Sequence, residues 1–213
     1  MIKKTQNIDE MKLTKTISRS FLALLLLSMF FGKLMIITAY AQETKSELPA
    51  KKQTSLDLYV TSAEAYAKWQ ASPESVKILD VRTPEEYIFV GHAPMAYNVP
   101  IAEQSYEWDP ITNEFKMKQV SSFVEQVKNI ALPTDTILVT CRSGGRSAMA
   151  VNQLAAAGYL YVYNISDGFE GDMVKDSTSL YYKKRIVNGW KNSGLPWTYE
   201  LSKDLIVLPE TIK

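Results

Sequence analysis

The segment that decides the fold is residues 136–157, which read TILVTCRSGGRSAMAVNQLAAA. It opens with Thr136 to Thr140, an apolar and β-branched run that is typical of a central parallel strand. The seven residues from Cys141 to Ser147 include two adjacent glycines and predict a tight loop. A helix-forming run from Ala148 to Ala157 follows, and Gly158 ends it. A strand, a loop and a helix in this order favour a layered α/β fold.

The loop places Cys141 at the carboxyl end of the strand and just before a helix, where open α/β sheets bind their ligands. Gly144 and Gly145 are expected to let the loop curl, so that successive N–H groups point inward and bind an anion. Arg142 and Arg146 add charge to the positive end of the helix dipole. Such surroundings stabilise a thiolate, which predicts a nucleophile that needs no general base. The alternative is a buried, inert cysteine in a strand-to-helix turn.

Composition excludes several classes of protein. Of the 213 residues, 46% are hydrophobic, which excludes a wholly disordered chain. Six of the 24 basic residues but only two of the 23 acidic residues lie in residues 1–41, so the remainder is slightly acidic and has no overall attraction to nucleic acid. Because the chain has one cysteine, Cys141, and one histidine, neither an internal disulfide nor a metal site is expected, and no cofactor is predicted.

Shorter patterns predict further elements around the same sheet. Thr61 to Glu64 forms a capping box that opens a helix, and Thr83 followed by Pro84 predicts a second N-terminus. Apolar residues at helical spacing predict an amphipathic helix before the central strand. The predicted elements are a helix from 61 to about 70, a buried strand over 76–81, a short helix from 83, a strand over 97–100 stopped by Pro100, and a helix over 119–130.

The first 41 residues are organised as a signal peptide. A basic region ends at Arg19, an apolar run over 21–37 follows with Lys33 inside it, and Ala39-Tyr40-Ala41 is a small-x-small cleavage pattern. We therefore expect cleavage after residue 41 and a periplasmic or secreted protein. The alternative is a retained membrane anchor, because the apolar run is close to the shortest membrane span. Met11 opens its own basic region and is a second candidate for the true start.

The rest of the chain divides into three parts. Residues 42–55 are poor in apolar side chains and predict a flexible tether. The folded domain is expected over 56–199. Residues 200–213 are predicted to be a loose C-terminal tail, with Leu205 to Leu208 as a candidate edge strand.

Seven short motifs, in their order along the chain, resemble those of the rhodanese-like sulfurtransferases. Each short motif is weakly specific, whereas their order together with the cysteine loop is highly specific. They are Asp80-Val81-Arg82, Glu86-Tyr87, Gly91-His92-Ala93, Asn98-Val99-Pro100, Cys141 to Ser147, Gly168-Phe169 and Gly194-Leu195-Pro196-Trp197.

The resemblance implies a rhodanese-like α/β fold, in which a parallel sheet of about five strands carries helices on both faces. It implies an enzyme of the thiosulfate sulfurtransferase type that takes sulfane sulfur from a small anionic donor as a persulfide on Cys141. The sulfur would pass to a thiol, to cyanide or to a partner protein. No cofactor, metal, nucleic acid or stable membrane insertion after cleavage is implied.

The resemblance also implies roles for residues around Cys141. Substrate is expected to bind to the loop, with the two arginines shaping the entry of the anion. Structural support is expected from Asp80, Arg82 and Glu86, with Arg82 paired to a carboxylate such as Glu86. The implied substrate-binding residues are Arg142, Ser143, Gly144, Gly145, Arg146 and Ser147.

Two stretches depart from the compact family pattern, and both are expected to border the mouth of the active site. They are residues 103–117, which we call the first insertion, and residues 172–187, the second insertion. The second insertion carries the basic run Tyr181 to Arg185. Two interpretations of that run stay open: recruitment of an acidic partner or a thiosulfate-like anion, and a solvated basic turn on aromatic side chains.

Two other functions compete with sulfur transfer. Cysteine-based phosphatases and arsenate reductases have a similar loop with five residues between cysteine and arginine, whereas only four separate Cys141 from Arg146. No histidine precedes the cysteine here. A non-catalytic persulfide carrier or docking module needs the same cysteine, so the sequence hardly distinguishes it from an enzyme.

Overall fold

The computed structural model describes residues 48–207, and the predicted signal peptide lies outside this part of the chain. Five strands form one parallel sheet in the order β1-β7-β6-β2-β3, and β4 and β5 form a separate antiparallel hairpin. The predicted five-stranded parallel sheet is therefore confirmed. The strands are β1 (Tyr59–Val60), β2 (Val76–Asp80), β3 (Ala96–Asn98), β4 (Ala102–Asp109), β5 (Glu114–Gln119), β6 (Thr136–Thr140) and β7 (Tyr161–Ile165).

In residues 48–207, four α-helices accompany the strands. One begins at the capping box predicted at Thr61, and another begins at Thr83, which was predicted as an N-cap and proves to form a capping box as well. The Thr61 hydroxyl accepts a hydrogen bond from the Glu64 N–H, and the Thr83 hydroxyl accepts one from the Glu86 N–H. Each cap satisfies an N–H group that has no partner inside its helix. The helices are α1 (Ser62–Ala71), α2 (Pro84–Val90), α3 (Phe123–Lys128) and α4 (Gly145–Ala156), with short 3-10 turns at Ala50–Lys52 and Lys203–Leu205.

The core lies on both faces of the sheet because side chains of a strand alternate between its faces. In β6, Ile137 and Val139 join a cluster with residues of α3 and α4, whereas Leu138 joins a second cluster that includes Ala65 of α1 and Trp190. All of these side chains are buried. Helices therefore cover both faces of the sheet, as expected, and the carboxyl end of β6 lies at one edge of the sheet between the two helix layers.

Three segments differ from the sequence-based prediction. The amphipathic helix begins at Phe123 rather than at residue 119, because Gln119 still pairs with Ala102 in the hairpin. The first insertion is that hairpin, β4 and β5, which the sequence did not predict. At the other end of the domain, the Val207 N–H donates to the carbonyl of Asn98 at 2.9 Å. Ile206 and Val207 of the predicted tail therefore lie beside β3, where Ile206 forms a single parallel bridge with Asn98.

Residues 48–55, part of the predicted tether, pack against the domain. Lys52 is 5% exposed and its Nζ lies 3.0 Å from a carboxylate oxygen of Asp172. The Ser55 N–H donates to the Asn152 side chain of α4 at 2.8 Å. The folded domain therefore begins before residue 56, because these residues contact partners that lie far away in the sequence. In the described part of the chain, no helix has the length and apolar character needed to cross a bilayer.

Candidate active site

Cys141 lies directly after β6, at the base of the loop that leads to α4. Its side chain is buried, with 2% of the residue exposed. The Gly144 N–H donates to its sulfur at 3.2 Å, and the Ser147 hydroxyl lies 3.4 Å from the same atom. The sulfur thus faces a backbone amide and the first turn of a helix, both of which favour negative charge.

The two glycines of the loop have different roles, which corrects the expectation that both allow it to curl. Gly144 has a φ of 95°, and a Cβ there would lie 2.2 Å from the Ser166 carbonyl oxygen. Gly145 is already the first residue of α4, and the nearest atom to a Cβ there is the Lys51 carbonyl oxygen at 3.8 Å. Only Gly144 therefore requires glycine.

The backbone of the loop is fixed from behind by residues 168–171. The Phe169 N–H donates to the Cys141 carbonyl at 2.7 Å, and the N–H groups of Glu170 and Gly171 donate to the Arg142 carbonyl at 3.0 and 3.2 Å. A Cβ on Gly168 would lie 2.6 Å from the Ser143 nitrogen, so the two segments touch through their backbones. These contacts hold the peptide planes beside the cysteine in one orientation.

Asn164 in β7 is a site residue that sequence reasoning missed. Its amide nitrogen donates to the carbonyls of Lys52 at 2.9 Å and Gly144 at 3.1 Å. Both donors face carbonyls, so its side-chain oxygen must face Ser147, whose hydroxyl donates to it at 2.6 Å. Asn164 thereby fixes the position of the Ser147 side chain, whose oxygen lies 3.4 Å from the Cys141 sulfur. No strand was predicted over Tyr161–Ile165, so no pattern marked this asparagine as part of the site.

The expected pairing of Arg82 with Glu86 is wrong. Arg82 pairs instead with Asp80, with its Nε 2.9 Å from one carboxylate oxygen and its Nη2 2.5 Å from the other. Both side chains are completely buried, so each charge is compensated by the opposite charge of its partner, and removal of either would leave an unpaired buried charge. The Arg82 guanidinium also lies over the Phe169 ring, 4.2 Å from its centre. The buried pair thus contacts Phe169, whose N–H donates to the Cys141 carbonyl.

Glu86 pairs with Arg146 of the loop. The two terminal guanidinium nitrogens of Arg146 each lie 2.6 Å from a different oxygen of Glu86. Burial opposes the charge of Glu86, but the hydrogen bonds and positive charge of Arg146 prevail and lower the pKa of this carboxyl group. The arginine predicted to bind substrate is therefore held by α2 with both ends of its fork occupied.

Arg142 and Arg185 place two further cations near the cysteine. Arg142 is exposed, and among residues 48–207 it forms no ion pair. Arg185 of the second insertion donates to the Gly171 carbonyl at 2.7 Å, beside the segment that holds the loop. Burial and the positive charge of Arg142 lower the pKa of Arg185. The neighbouring lysines, Lys183 and Lys184, lie over tyrosine rings of the same insertion instead.

A cleft of about 750 Å³ opens between the cysteine loop and the β4–β5 hairpin. The first insertion therefore borders the mouth of the site, as expected. The Arg142 and Arg146 side chains form one end of the cleft, and apolar side chains of the hairpin form the other. The cleft is lined by Thr83, Glu85, Glu86, Gln104, Tyr106, Trp108, Glu114, Phe115, Met117, Arg142 and Arg146.

Comparison with known proteins gives a consistent result. A family model described as a rhodanese-like domain matches residues 62–173. An uncharacterized protein of Rickettsia conorii is 30% identical over 140 residues, which cover 66% of this chain and 96% of that protein. Thiosulfate sulfurtransferase 16 of Arabidopsis thaliana is 39% identical over 93 residues, which cover 44% of this chain and 70% of that protein. The crystal structure of Rv0390 from M. tuberculosis is 25% identical and covers 66% of this chain and 96% of its own, with a TM-score of 0.49.

Proposed function

The chain belongs to the rhodanese-like domain family, and from that membership we propose that it transfers sulfane sulfur from a thiosulfate-like donor to a thiophilic acceptor through a persulfide on Cys141. The observation that carries the proposal is the Gly144 N–H at 3.2 Å from the cysteine sulfur, at the N-terminus of α4. A curated relative named thiosulfate sulfurtransferase supports it.

In the first step the Cys141 thiolate attacks the outer sulfur of thiosulfate. The bond between the two sulfur atoms of thiosulfate breaks, sulfite leaves with the electron pair, and a persulfide anion remains on the cysteine. Arg142 and Arg185 attract the doubly charged donor, and no general base is required because the nucleophile enters as a thiolate. The Gly144 amide then stabilises the anionic persulfide.

In the second step an acceptor thiolate attacks the outer sulfur of the persulfide. A new bond forms between the acceptor sulfur and the transferred sulfur, and the bond to Cys141 breaks. Its electron pair returns to the cysteine as a thiolate, so the enzyme is regenerated without an external oxidant or reductant. Cyanide reacts in the same way and gives thiocyanate.

The contacts of Arg146 favour sulfur over phosphate as cargo. A phosphatase arginine presents its fork of N–H donors to two oxygens of a phosphoryl group. Here both terminal nitrogens of Arg146 are occupied by Glu86. The loop is also one residue shorter than a cysteine phosphatase loop.

Mass spectrometry of the intact protein tests this function. After incubation with thiosulfate the protein should gain the mass of one sulfur atom, and Cys141→Ser should gain none. Met149→Ala is a control that keeps the thiol, because Met149 is an exposed residue of α4 outside the loop. A wild-type protein that hydrolyses p-nitrophenyl phosphate through Cys141 and takes up no sulfur would refute the proposal. Stable sulfur uptake without turnover to any thiol or to cyanide would indicate a carrier instead of an enzyme.

We further propose that the protein acts outside the cytoplasmic membrane, as a periplasmic or secreted protein released by cleavage after Ala41. The proposal rests on the basic region, the apolar run and the Ala39-Tyr40-Ala41 pattern. N-terminal sequencing of the native protein should start at Gln42. Native protein that retains residues 21–37 in the membrane fraction would contradict it.

A further inference from the structure

The β4–β5 hairpin presents an apolar wall to the cleft above the cysteine loop. Its four apolar side chains at the cleft are 40% to 73% exposed. Large apolar side chains grouped on a surface commonly mark a binding site. We call these residues the hairpin wall: Tyr106, Trp108, Phe115 and Met117.

The hairpin wall is ordered by its own contacts. The Trp108 and Phe115 rings meet edge to face with centres 5.3 Å apart, and Tyr106 meets Phe115 edge to face at 6.3 Å. A β-bulge interrupts the pairing between Gln104 and Trp108, and Tyr106 inside it has a φ of 58°. A bulge re-aims side chains, and a tyrosine in this backbone region is uncommon. The distortion thus sets the direction of aromatic side chains at the mouth of the site.

The shape of the cleft favours a small molecule as its occupant. A volume of about 750 Å³ lies within the ~300–1,000 Å³ range of small-molecule sites. The cleft is concave and includes Arg142 and Arg146 of the cysteine loop, whereas protein-docking patches are larger and flatter. The charge of Arg146 is neutralised by Glu86, which leaves Arg142 as the cation on the loop side.

We propose that this cleft binds the sulfur acceptor, and that the acceptor is a thiol carried on a flat apolar body that packs against Trp108 and Phe115. The inference rests on the proposed function, since it assigns the acceptor of the second step. The acceptor thiolate attacks the outer sulfur of the Cys141 persulfide and forms a bond to it. The bond between that sulfur and Cys141 breaks, so the acceptor leaves as a persulfide and Cys141 is left as a thiolate. Small hydrophilic thiols lack the contact with the hairpin wall and bind more weakly.

Two unreactive sulfonates test the binding site independently of catalysis. Phenylmethanesulfonate and methanesulfonate carry the same charge and differ only by the phenyl ring. Calorimetric titration of the protein should show about tenfold tighter binding of the phenyl compound, the factor expected for one aromatic contact of ~1.4 kcal/mol. Trp108→Ala should remove most of this preference, and Trp108→Phe should retain it. Phe89→Ala is the control, because Phe89 is 78% exposed on α2 and does not line the cleft.

Turnover gives a second readout. The ratio of kcat/KM for phenylmethanethiol to that for 2-mercaptoethanol should exceed one in the wild type and fall toward one in Trp108→Ala and Phe115→Ala. Equal affinity for the two sulfonates in the wild type, or no measurable binding of either, would overturn the inference. So would a preference that survives both alanine variants. Failure of Cys141 to take up sulfur from thiosulfate overturns the proposed function instead, and the mass measurement detects it separately.

Discussion

Replacing Gly144 by alanine perturbs the cysteine loop at its most constrained point. The residue has a φ of 95°, and the new Cβ would lie 2.2 Å from the Ser166 carbonyl oxygen. An L-residue in the left-handed region costs about 1–2 kcal/mol, and forcing an extra methyl group into a packed site costs about 1–3 kcal/mol. The two effects together predict a loss of about 2–5 kcal/mol in the free energy of unfolding.

The neighbouring glycine provides a matched control. Gly145→Ala adds the same methyl group one residue later, at a helical position where the nearest atom lies 3.8 Å away. Alanine is a better helix former than glycine by about 0.5–1 kcal/mol, so this variant should be neutral or more stable.

Thermal unfolding and urea denaturation measure the contrast between the two variants. For a domain of this size, each kcal/mol shifts Tm by about 2–4 °C, so Gly144→Ala should lower Tm by at least about 4 °C. Persulfide formation should fall in the same variant, because the Gly144 N–H faces the Cys141 sulfur. Equal stability of the two alanine variants would refute the reasoning that the left-handed conformation of Gly144 shapes the loop.

Three further predictions concern charges and hydrogen bonds around the site. Arg185→Ala should raise KM for thiosulfate by roughly three- to tenfold, as expected for loss of ~0.7–1.4 kcal/mol of attraction to an anion. Lys183→Ala should leave KM unchanged, because the Lys183 Nζ lies over the Tyr182 ring. Equal KM values for the two variants in steady-state assays would contradict this prediction. The pKa of Glu86 is lowered by Arg146 despite the opposing effect of burial, so its ion pair stabilises the fold above the unfolded pKa of ~4.3 and is lost as pH falls through the folded value. The stability difference between wild type and Glu86→Gln in urea should therefore be present at neutral pH and shrink in acid, and a difference independent of pH would exclude the ion pair as its source. Asn164→Ala should lower the free energy of unfolding by about 2–4 kcal/mol, because it leaves buried partners unsatisfied at Lys52, Gly144 and Ser147. Asn152→Ala removes one exposed contact, so it should lower the free energy of unfolding less in the same denaturation experiment.

The site shows how far pattern reasoning reaches. The strand before Cys141, the helix after it and the helix N-termini at Thr61 and Thr83 were predicted, since periodicity and caps depend on residues within one turn or strand. The arginine pairs were not. Arg82 was expected to pair with Glu86, but it pairs with Asp80, which lies two residues away in the sequence. Glu86 instead pairs with Arg146, 60 residues further along the chain.

By itself the sequence determined the central strand, the helices with their N-termini, the layered α/β class and the position of Cys141 between a strand and a helix N-terminus. Only the tertiary structure decided that Gly144 and not Gly145 needs a left-handed backbone, that Asn164 orients Ser147, and that an aromatic hairpin forms one wall of the cleft. The physical reason is the range of the interactions. Helix caps and hydrophobic periods depend on residues close together in the sequence. The contact of the Ser166 carbonyl with Gly144, the hydrogen bonds of the buried Asn164 amide and the hairpin side of the cleft all depend on the packing of segments that are distant in the sequence.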